Sequence, residues 1–344
     1  MNASGPPKAK RRWHQFSLRT LLGFVTVCAV ACSWYAVEMQ QAAKRRAAIA
    51  ELTARGCFVG YFDAQRIAPD GKPPSWGGEA PRWFALLRKV HGDERLGNAV
   101  IVWVNGPRFS DADATHLKGL TALECLLLSG TQITDTGLVN LTGLRSLERL
   151  DLSETQVTDV GLENLRGLRN LAELELSGTQ ITDVGLKHLA ELTDLEWLSL
   201  GSTRVGDAGL EHLKGLTCLR GLTLGNTRVT NDGLTHLKGL TELKVLDLAG
   251  TQVGDAGLEH LKTLTGLVAI ELCETKITDA GLKRLRGLGK LKRLNLMCLP
   301  ISDTGLGYLK DLTGLEVLQL DGTKVSEEGK NGFRQAAPNC AVVP

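Results

Sequence analysis

The sequence is poor in aromatic residues and has no excess of charge of either sign. Phe, Trp and Tyr make up 5% of the 344 residues, and 40 Lys and Arg nearly balance 38 Asp and Glu. The formal net charge is only +2, whereas proteins that bind nucleic acids usually have a strong excess of basic residues. The composition therefore excludes nucleic acids as the partner. The scarcity of aromatics beside abundant Leu and Gly indicates a repeated template rather than an irregular core.

Enzyme signatures are also missing. The chain contains no H-E-x-x-H, no G-x-S-x-G and no Gly-rich phosphate loop. Its eight Cys include no CxxC pair, and they fit neither a zinc spacing nor a disulfide framework. We predict that the protein is not an enzyme and needs no metal or cofactor. The thiols are expected to fill small sites, and Cys273 and Cys298 stand one repeat plus one residue apart.

A long uncharged segment lies near the N-terminus. Residues 20–37 hold 18 residues without a charge, close to the ~20 needed to cross a bilayer. Trp34 and Tyr35 stand where an interfacial aromatic belt is expected, and five basic residues precede the segment: Lys8, Lys10, Arg11, Arg12 and Arg19. We predict a transmembrane anchor at 20–37, a basic cytoplasmic tail at 1–19 and a body outside the cytoplasm.

Three other interpretations of this segment stay open. Ala29, Val30 and Ala31 form an A-x-A pattern, which is typical of a cleaved signal peptide. Cys32 follows directly and is a candidate for lipid modification. A buried helix of a soluble protein is the third alternative.

Two segments separate the anchor from the main body. Residues 38–55 are rich in Ala and other good helix formers, which predicts a juxtamembrane helix. Residues 56–98 contain a Pro- and Gly-rich loop at 66–81 and a short amphipathic pattern at 83–90. Because the end of a repeat array exposes its core, we predict that 56–98 form an N-terminal cap. A disordered spacer is the alternative.

A repeat of 24 residues fills the rest of the chain. The template L-x-x-L-x-L-x-x-T-x-[IV]-x-D-x-G-L-x-x-L-x-x-L-x-x runs without insertion from Leu123, and a degenerate copy precedes it at 99–122. The last copy decays after Gly329. We predict a domain of about ten repeats at 99–338 with atypical outer copies, followed by a C-terminal tail at 339–344.

The spacing within each repeat predicts its local structure. Leu174 and Leu176 are two apart, as on one face of a strand, and Leu186 and Leu189 are three apart, as on one face of a short helix. Thr182 and Asp183 offer oxygens to cap that helix. The prediction is an α/β solenoid with a parallel sheet on its concave side and short helices on its convex side.

This pattern resembles the leucine-rich repeat, and it covers roughly residues 99–338. Together with Phe16–Leu22 (FSLRTLL) and the ELTARGCFVGYFDAQ region, the chain resembles a planctomycete family of membrane-anchored leucine-rich-repeat proteins. Thr stands where the repeat family usually has Asn, and Leu299 replaces that Thr once. The resemblance implies a bacterial protein whose repeats bind a partner.

Three columns of the template carry reactive side chains. The recurrent Asp before Gly-Leu and the recurrent Thr of the turn are predicted to serve the scaffold, although the Asp column also invites a metal or acid–base interpretation. His116, His188, His212, His236 and His260 share one helix position. Because neighbouring helices stand on the order of 10 Å apart, we predict solvated histidines rather than a metal or pH-sensing site.

The outward positions of the strands vary, so the scaffold does not dictate them. They carry many carboxylates around Trp197, and an exposed Trp is a typical interface anchor. The alternative is that they only keep the surface soluble. The predicted partner-binding residues are Arg149, Asp151, Glu173, Glu175, Glu196, Trp197, Arg220, Asp247 and Glu271.

The sequence therefore predicts a membrane-anchored protein-binding module. Its partner is expected to be a protein, with a glycan as the less favoured ligand. The alternative from another class is a structural, self-associating component of the cell envelope. Sequence alone does not set the oligomeric state, because a repeat fold does not reveal its partner.

Overall fold

The computed structural model describes residues 18–60, 101–104 and 108–343. In this part of the chain, twelve short strands form a single sheet in sequence order. Strand β1 pairs antiparallel with β2, and every later pair is parallel. The strands are β1 (Phe58–Gly60), β2 (Ile101–Trp103), β3 (Cys125–Leu127), β4 (Arg149–Asp151), β5 (Glu173–Glu175), β6 (Trp197–Ser199), β7 (Gly221–Thr223), β8 (Val245–Asp247), β9 (Ala269–Glu271), β10 (Arg293–Asn295), β11 (Val317–Gln319) and β12 (Ala341–Val343).

Short helices connect the strands, as the spacing of Leu predicts. The α-helices are α1 (Leu18–Ala54), α2 (Asp111–Ala114), α3 (Asp135–Leu138), α4 (Asp159–Leu162), α5 (Asp183–Leu186), α6 (Asp207–Glu211), α7 (Asp279–Leu282), α8 (Asp303–Tyr308) and α9 (Glu327–Ala336). Short 3₁₀-helices cover Thr115–Leu117, Val139–Leu141, Glu163–Leu165, Gly233–Leu237, Gly257–Thr263, Lys283–Gly287 and Leu309–Asp311.

One continuous hydrophobic core lies between the sheet and the helices. In the repeat that starts at Leu171, the side chains of Leu174, Leu176, Leu186 and Leu189 are fully buried. Leu174 stands opposite Leu150 on one side and Leu198 on the other, so that neighbouring repeats stack in register. The predicted solenoid, with its parallel sheet and short helices, is therefore present.

The Asp column joins neighbouring repeats, which differs from the predicted role. Thr182 caps its own helix by accepting a hydrogen bond from the Val184 amide. Asp159, in contrast, reaches the next repeat and accepts bonds from the Thr182 amide at 2.8 Å and the Thr182 hydroxyl at 2.6 Å. The prediction that Asp caps the helix of its own repeat is therefore wrong, because the stacking of repeats presents a better donor pair.

The same contact explains the Gly that follows two residues after each Asp. A Cβ on Gly209 would lie 2.6 Å from Oδ1 of Asp183 in the preceding repeat. Any larger residue would displace the carboxylate. The Thr column serves the turn as predicted, since the Thr179 hydroxyl donates to the Leu176 carbonyl at 2.6 Å.

The turn after each strand places one residue in the left-handed region of backbone space. Gly occupies this position in four repeats, but Glu154 has a φ of 55° and Glu274 a φ of 58°. A side chain in this conformation costs roughly 1–2 kcal/mol, because Cβ approaches the following carbonyl oxygen. Five of the repeats carry this strain: those with Glu154, Ser202, Asn226, Glu274 and Cys298.

Replacing Glu154 by glycine is therefore expected to raise the free energy of unfolding by roughly 0.5–1 kcal/mol, after the greater chain entropy of Gly is subtracted. Chemical denaturation of the full chain measures this. Glu154→Ala is the matched control, because it removes the same carboxylate but keeps the Cβ. Equal stability of the two variants would show that relief of backbone strain is not the cause.

The N-terminal cap differs from the predicted one. The single helix α1 (Leu18–Ala54, 37 residues) runs unbroken through the two predicted segments 20–37 and 38–55 and ends one residue before the second of them does. Its last turns close the array, because Leu52 and Cys57 are buried in the core and β1 pairs with β2. Arg55 makes an ion pair with the buried Asp113. The cap thus begins before residue 56. The predicted short helix at 83–90 lies outside the described residues.

Membrane insertion of residues 20–37 stays a prediction. Among the residues that the structure describes, no helix combines the length and the apolar character that a membrane span requires.

The C-terminal tail is ordered, which corrects the predicted boundary at 339. Residues Ala341–Val343 form β12, which pairs with β11 in the register of the repeats. Helix α9 buries Phe333 beneath it. The array therefore continues one strand beyond the predicted domain, because Val342 stands opposite Leu318 and the buried Phe333 and Cys340 extend the core.

The described cysteines are all free thiols. Cys57, Cys125 and Cys340 are buried, as expected for small packing sites, whereas Cys218 and Cys298 are exposed. Burial raises the pKa of the Cys125 thiol to about 12, so this thiol is unreactive.

Candidate functional site

The outward side of the sheet carries the predicted partner-binding residues. The central residue of each strand points into the core, as Leu174 and Leu198 do, and the first and last residues point outward. We call the outward residues of β4 to β10 the open sheet face. It contains seven of the nine predicted residues, and Glu196 and Arg220 lie one residue before β6 and β7.

The first residues of the central strands form a largely neutral row. Trp197, Gly221, Val245 and Ala269 are consecutive partners in the register of β6 to β9. We call these four residues the neutral lane.

Trp197 is half-buried rather than fully exposed, because its ring covers the neighbouring strand. A Cβ on Gly221 would overlap the ring, with Cδ2 of Trp197 at 2.6 Å. The space that Gly221 leaves beside Trp197 is therefore filled by the ring itself. The ring of Trp197 therefore packs on the backbone of Gly221, and the opposite side of the ring faces solvent.

The last residues of the strands form a second, acidic row. Asp151 stands opposite Glu175, and Asp247 stands opposite Glu271. Between these two pairs lie the hydroxyls of Ser199 and Thr223. We call the row Asp151, Glu175, Ser199, Thr223, Asp247 and Glu271 the acidic lane. It runs beside the neutral lane along the solenoid.

Local hydrogen bonds hold the first carboxylate pair. Asp151 accepts the Ser153 amide at 2.9 Å and the Ser153 hydroxyl at 2.6 Å. Glu175 accepts a bond from Ser199, whose hydroxyl also contacts that of Ser177 at 2.7 Å. Burial raises the pKa of Glu175, and the neighbouring charge of Asp151 raises it further.

The second pair has a similar environment. Asp247 accepts the Ala249 amide at 2.9 Å, and Glu271 is hydrogen-bonded by Asn295. Burial raises the pKa of both carboxyl groups, and Asp247 adds to the shift of Glu271. Glu175, Asp247 and Glu271 are therefore positioned carboxylates whose ionised form is poorly solvated.

The remaining predicted residues form ion pairs between neighbouring repeats. Arg149 contacts Glu173 at 3.0 Å, and Arg220 contacts Glu196 at 3.0 Å. Among the described residues, Nε of Arg149 is buried and has no hydrogen-bond partner. Within each pair the two charges balance, so the pairs flank Trp197 without adding net charge.

Replacing Glu175 by glutamine is expected to raise the melting temperature at neutral pH. The raised pKa means that the folded protein binds this proton more tightly than the unfolded chain. Protonation of Glu175 therefore stabilises the fold at pH values below the pKa that this group has in the unfolded chain. This contribution is lost as pH rises through its higher pKa in the folded protein. Gln is neutral at every pH, so thermal melts should show a gain at pH 7 that disappears below about pH 4. A gain that persists in acid would contradict this account.

The His column shows no metal site. Within the residues that the structure describes, no group of three or more His, Cys, Asp or Glu side chains is arranged to hold an ion. Nδ1 of His188 is buried and finds no hydrogen-bond partner in the described part of the chain, and burial together with Arg166 and Lys187 lowers the pKa of His188.

The sequence prediction missed part of this surface. It counted charged residues and Trp197 but omitted Val245 and Ala269, which continue the neutral lane, and Ser199, which bonds Glu175. The signal was present, because these residues occupy the same two variable positions of the template. The register adds that the two rows, one neutral and one acidic, run side by side across neighbouring strands.

The comparisons with known proteins agree with this architecture. Residues 145–205 match the family model described as "Leucine rich repeat", and residues 240–262 match one described as "Leucine Rich repeat". These segments are leucine-rich repeats. A comparison with curated proteins returned no match. The resemblance to a planctomycete family stays a prediction.

Solved structures with leucine-rich repeats are similar to this chain. An internalin (inlF) from Listeria monocytogenes is 23% identical, with a TM-score of 0.55 over 75% of this chain and 85% of the internalin chain. This likeness shows the fold alone. An internalin C2 (inlC2) from the same species is 27% identical over 66% of this chain and 82% of the other, with a TM-score of 0.45.

Proposed function

We propose that this protein is a binding module without catalytic activity, which engages a partner protein through the open sheet face. The observation that carries the proposal is Trp197, held half-buried over Gly221 on a surface that the repeat template does not dictate. Leucine-rich-repeat proteins are generally interaction scaffolds. An aromatic anchor inside a rim of paired charges is typical of an interface centre.

Photo-crosslinking tests this surface on the full chain in its own cells. A benzophenone amino acid replaces Thr223, which is half-buried on the open sheet face, or Lys214, which is exposed on the helix side. We expect one partner protein to be captured from position 223 and not from position 214. Capture from position 214 alone would move the binding surface to the helices.

We further propose that residues 20–37 anchor the protein in a membrane with the repeats outside the cytoplasm. The support is the run of 18 uncharged residues behind five basic ones. Trp34 and Tyr35 are exposed on α1, as interfacial side chains would be. The proposal concerns location only, and the binding surface does not depend on it.

Fractionation tests the anchor. We expect the protein in membranes after carbonate washing, and external protease should digest the repeats in spheroplasts. Recovery in the soluble fraction would contradict the anchor, and protection until lysis would reverse the orientation. The intact mass of the purified protein distinguishes an uncleaved anchor from cleavage after Ala31 or a lipid on Cys32.

A further inference from the structure

The open sheet face is amphipathic across its width. The neutral lane and the acidic lane run side by side, separated by two residues of each strand, which is about 7 Å. A partner that lies along the solenoid would therefore meet apolar surface on one side and carboxylates on the other. Trp197 and Val245 supply the larger apolar side chains, and both are half-buried.

The carboxylates of the acidic lane have no basic partner in the fold. Within the described ranges, no Lys or Arg forms an ion pair with Asp151, Glu175, Asp247 or Glu271, whereas Glu173 and Glu196 are paired. Hydrogen bonds from hydroxyls, amides and backbone fix their positions, and Arg149 and Arg293 offset the charge of Glu175 and Glu271 only from beyond ion-pair distance. The lane thus keeps a net negative charge that an external cation can neutralise.

We propose that the open sheet face binds an extended, basic segment of a partner protein, which crosses the strands along the solenoid with basic side chains on the acidic lane and apolar side chains on the neutral lane. This inference rests on the proposed function and adds the chemistry of the partner.

The charge complementarity is strengthened by burial. Glu175, Asp247 and Glu271 have raised pKa values because they are poorly solvated. A bound ammonium or guanidinium group would therefore meet carboxylates in a medium less polar than water, where ion pairing is stronger. The ring of Trp197 lies between the two carboxylate pairs and can accept an apolar side chain or the face of a guanidinium.

The spacing of the carboxylate pairs defines a sequence pattern. The pair on β4 and β5 lies four strands from the pair on β8 and β9, which is about 19 Å at ~4.8 Å per strand. An extended chain covers this in about six residues at ~3.3 Å each. Side chains alternate between the two sides of an extended peptide. Two basic residues six positions apart in the peptide therefore both face the acidic lane, and the residues at odd positions between them face the neutral lane.

A synthetic probe tests this pattern on the full chain. The probe is the dye-labelled peptide Gly-Ser-Lys-Val-Ser-Leu-Ser-Val-Lys-Ser-Gly, measured by fluorescence anisotropy at low salt. Two control peptides carry Glu in place of both Lys, or the two Lys side by side. We expect the probe to bind, its affinity to fall as salt rises, and both controls to bind at least about tenfold more weakly.

Variants of the chain then locate the site. The double variant Glu175→Gln with Glu271→Gln should weaken the probe by about tenfold or more, while its fold is retained because neutral side chains are tolerated there. Glu163→Gln with Glu211→Gln removes the same charge from exposed helix positions and should leave the affinity unchanged.

The outcomes separate this inference from the function on which it rests. Equal binding of the acidic control peptide, no binding of the probe, or equal loss in both double variants would overturn the basic-segment inference. If the probe fails while position 223 still captures a partner, the function stands and the partner chemistry is wrong. If nothing is captured at 223 and the probe also fails, both are wrong.

Discussion

Replacing Asp159 by alanine is expected to lower the free energy of unfolding by about 3 kcal/mol. The carboxylate accepts both the amide and the hydroxyl of Thr182 in the next repeat, at 2.8 and 2.6 Å. Hydrogen bonds to a charged group contribute roughly 1.5–3 kcal/mol each, and the Thr182 amide is left without a partner when the carboxylate is removed. Urea denaturation of the full chain measures the loss.

The adjacent repeat provides a matched control. Asp183 occupies the same position, but Gly206 replaces the Thr and donates only its amide, at 2.6 Å. Asp183→Ala is therefore expected to cost about half as much as Asp159→Ala. Because the Thr182 amide donates to Asp159 of the preceding repeat, hydrogen exchange at this amide should become faster in Asp159→Ala. Equal costs for the two variants would show that the hydroxyl bond contributes nothing.

Replacing Trp197 by alanine is expected to weaken partner binding by at least ~2 kcal/mol, the usual threshold for an interface anchor. Its effect on stability should be much smaller, because the core of that repeat is filled by Leu195, Leu198 and Leu200, all fully buried. Titration calorimetry with the captured partner, beside thermal melts, measures both quantities.

Gly221→Ala tests whether binding depends on the position of the Trp197 ring as well as on its presence. The added Cβ would overlap the Trp197 ring and force it to move, although the indole is still present. We expect a loss of affinity comparable to that of Trp197→Ala. Normal binding by Trp197→Ala, or its failure to fold, would contradict the anchor role and direct the search to the helices or the cap.

The sequence by itself determined the repeating part of this protein. A fixed spacing of Leu is enough to predict a strand, a turn and a short helix, because each position has one direction relative to the core. The capping Thr182 and the turn Thr179 were also predictable, since their partners lie within three residues. The variable strand positions likewise marked the open sheet face, because the template fixes the positions that point into the core.

The stacking of the repeats decided what local spacing could not. Asp159 has no donor pair until the next repeat brings Thr182 beside it, 23 residues later. Leu52 caps the array only because the end of α1 packs against the first repeat. Ala341–Val343 form a strand only because β11 has a free edge with which they can pair. The ring of Trp197 covers Gly221, and neutral and acidic residues separate into two lanes, because the register aligns residues of neighbouring strands. Contacts within a repeat follow from the order of residues, whereas contacts between repeats follow from tertiary packing.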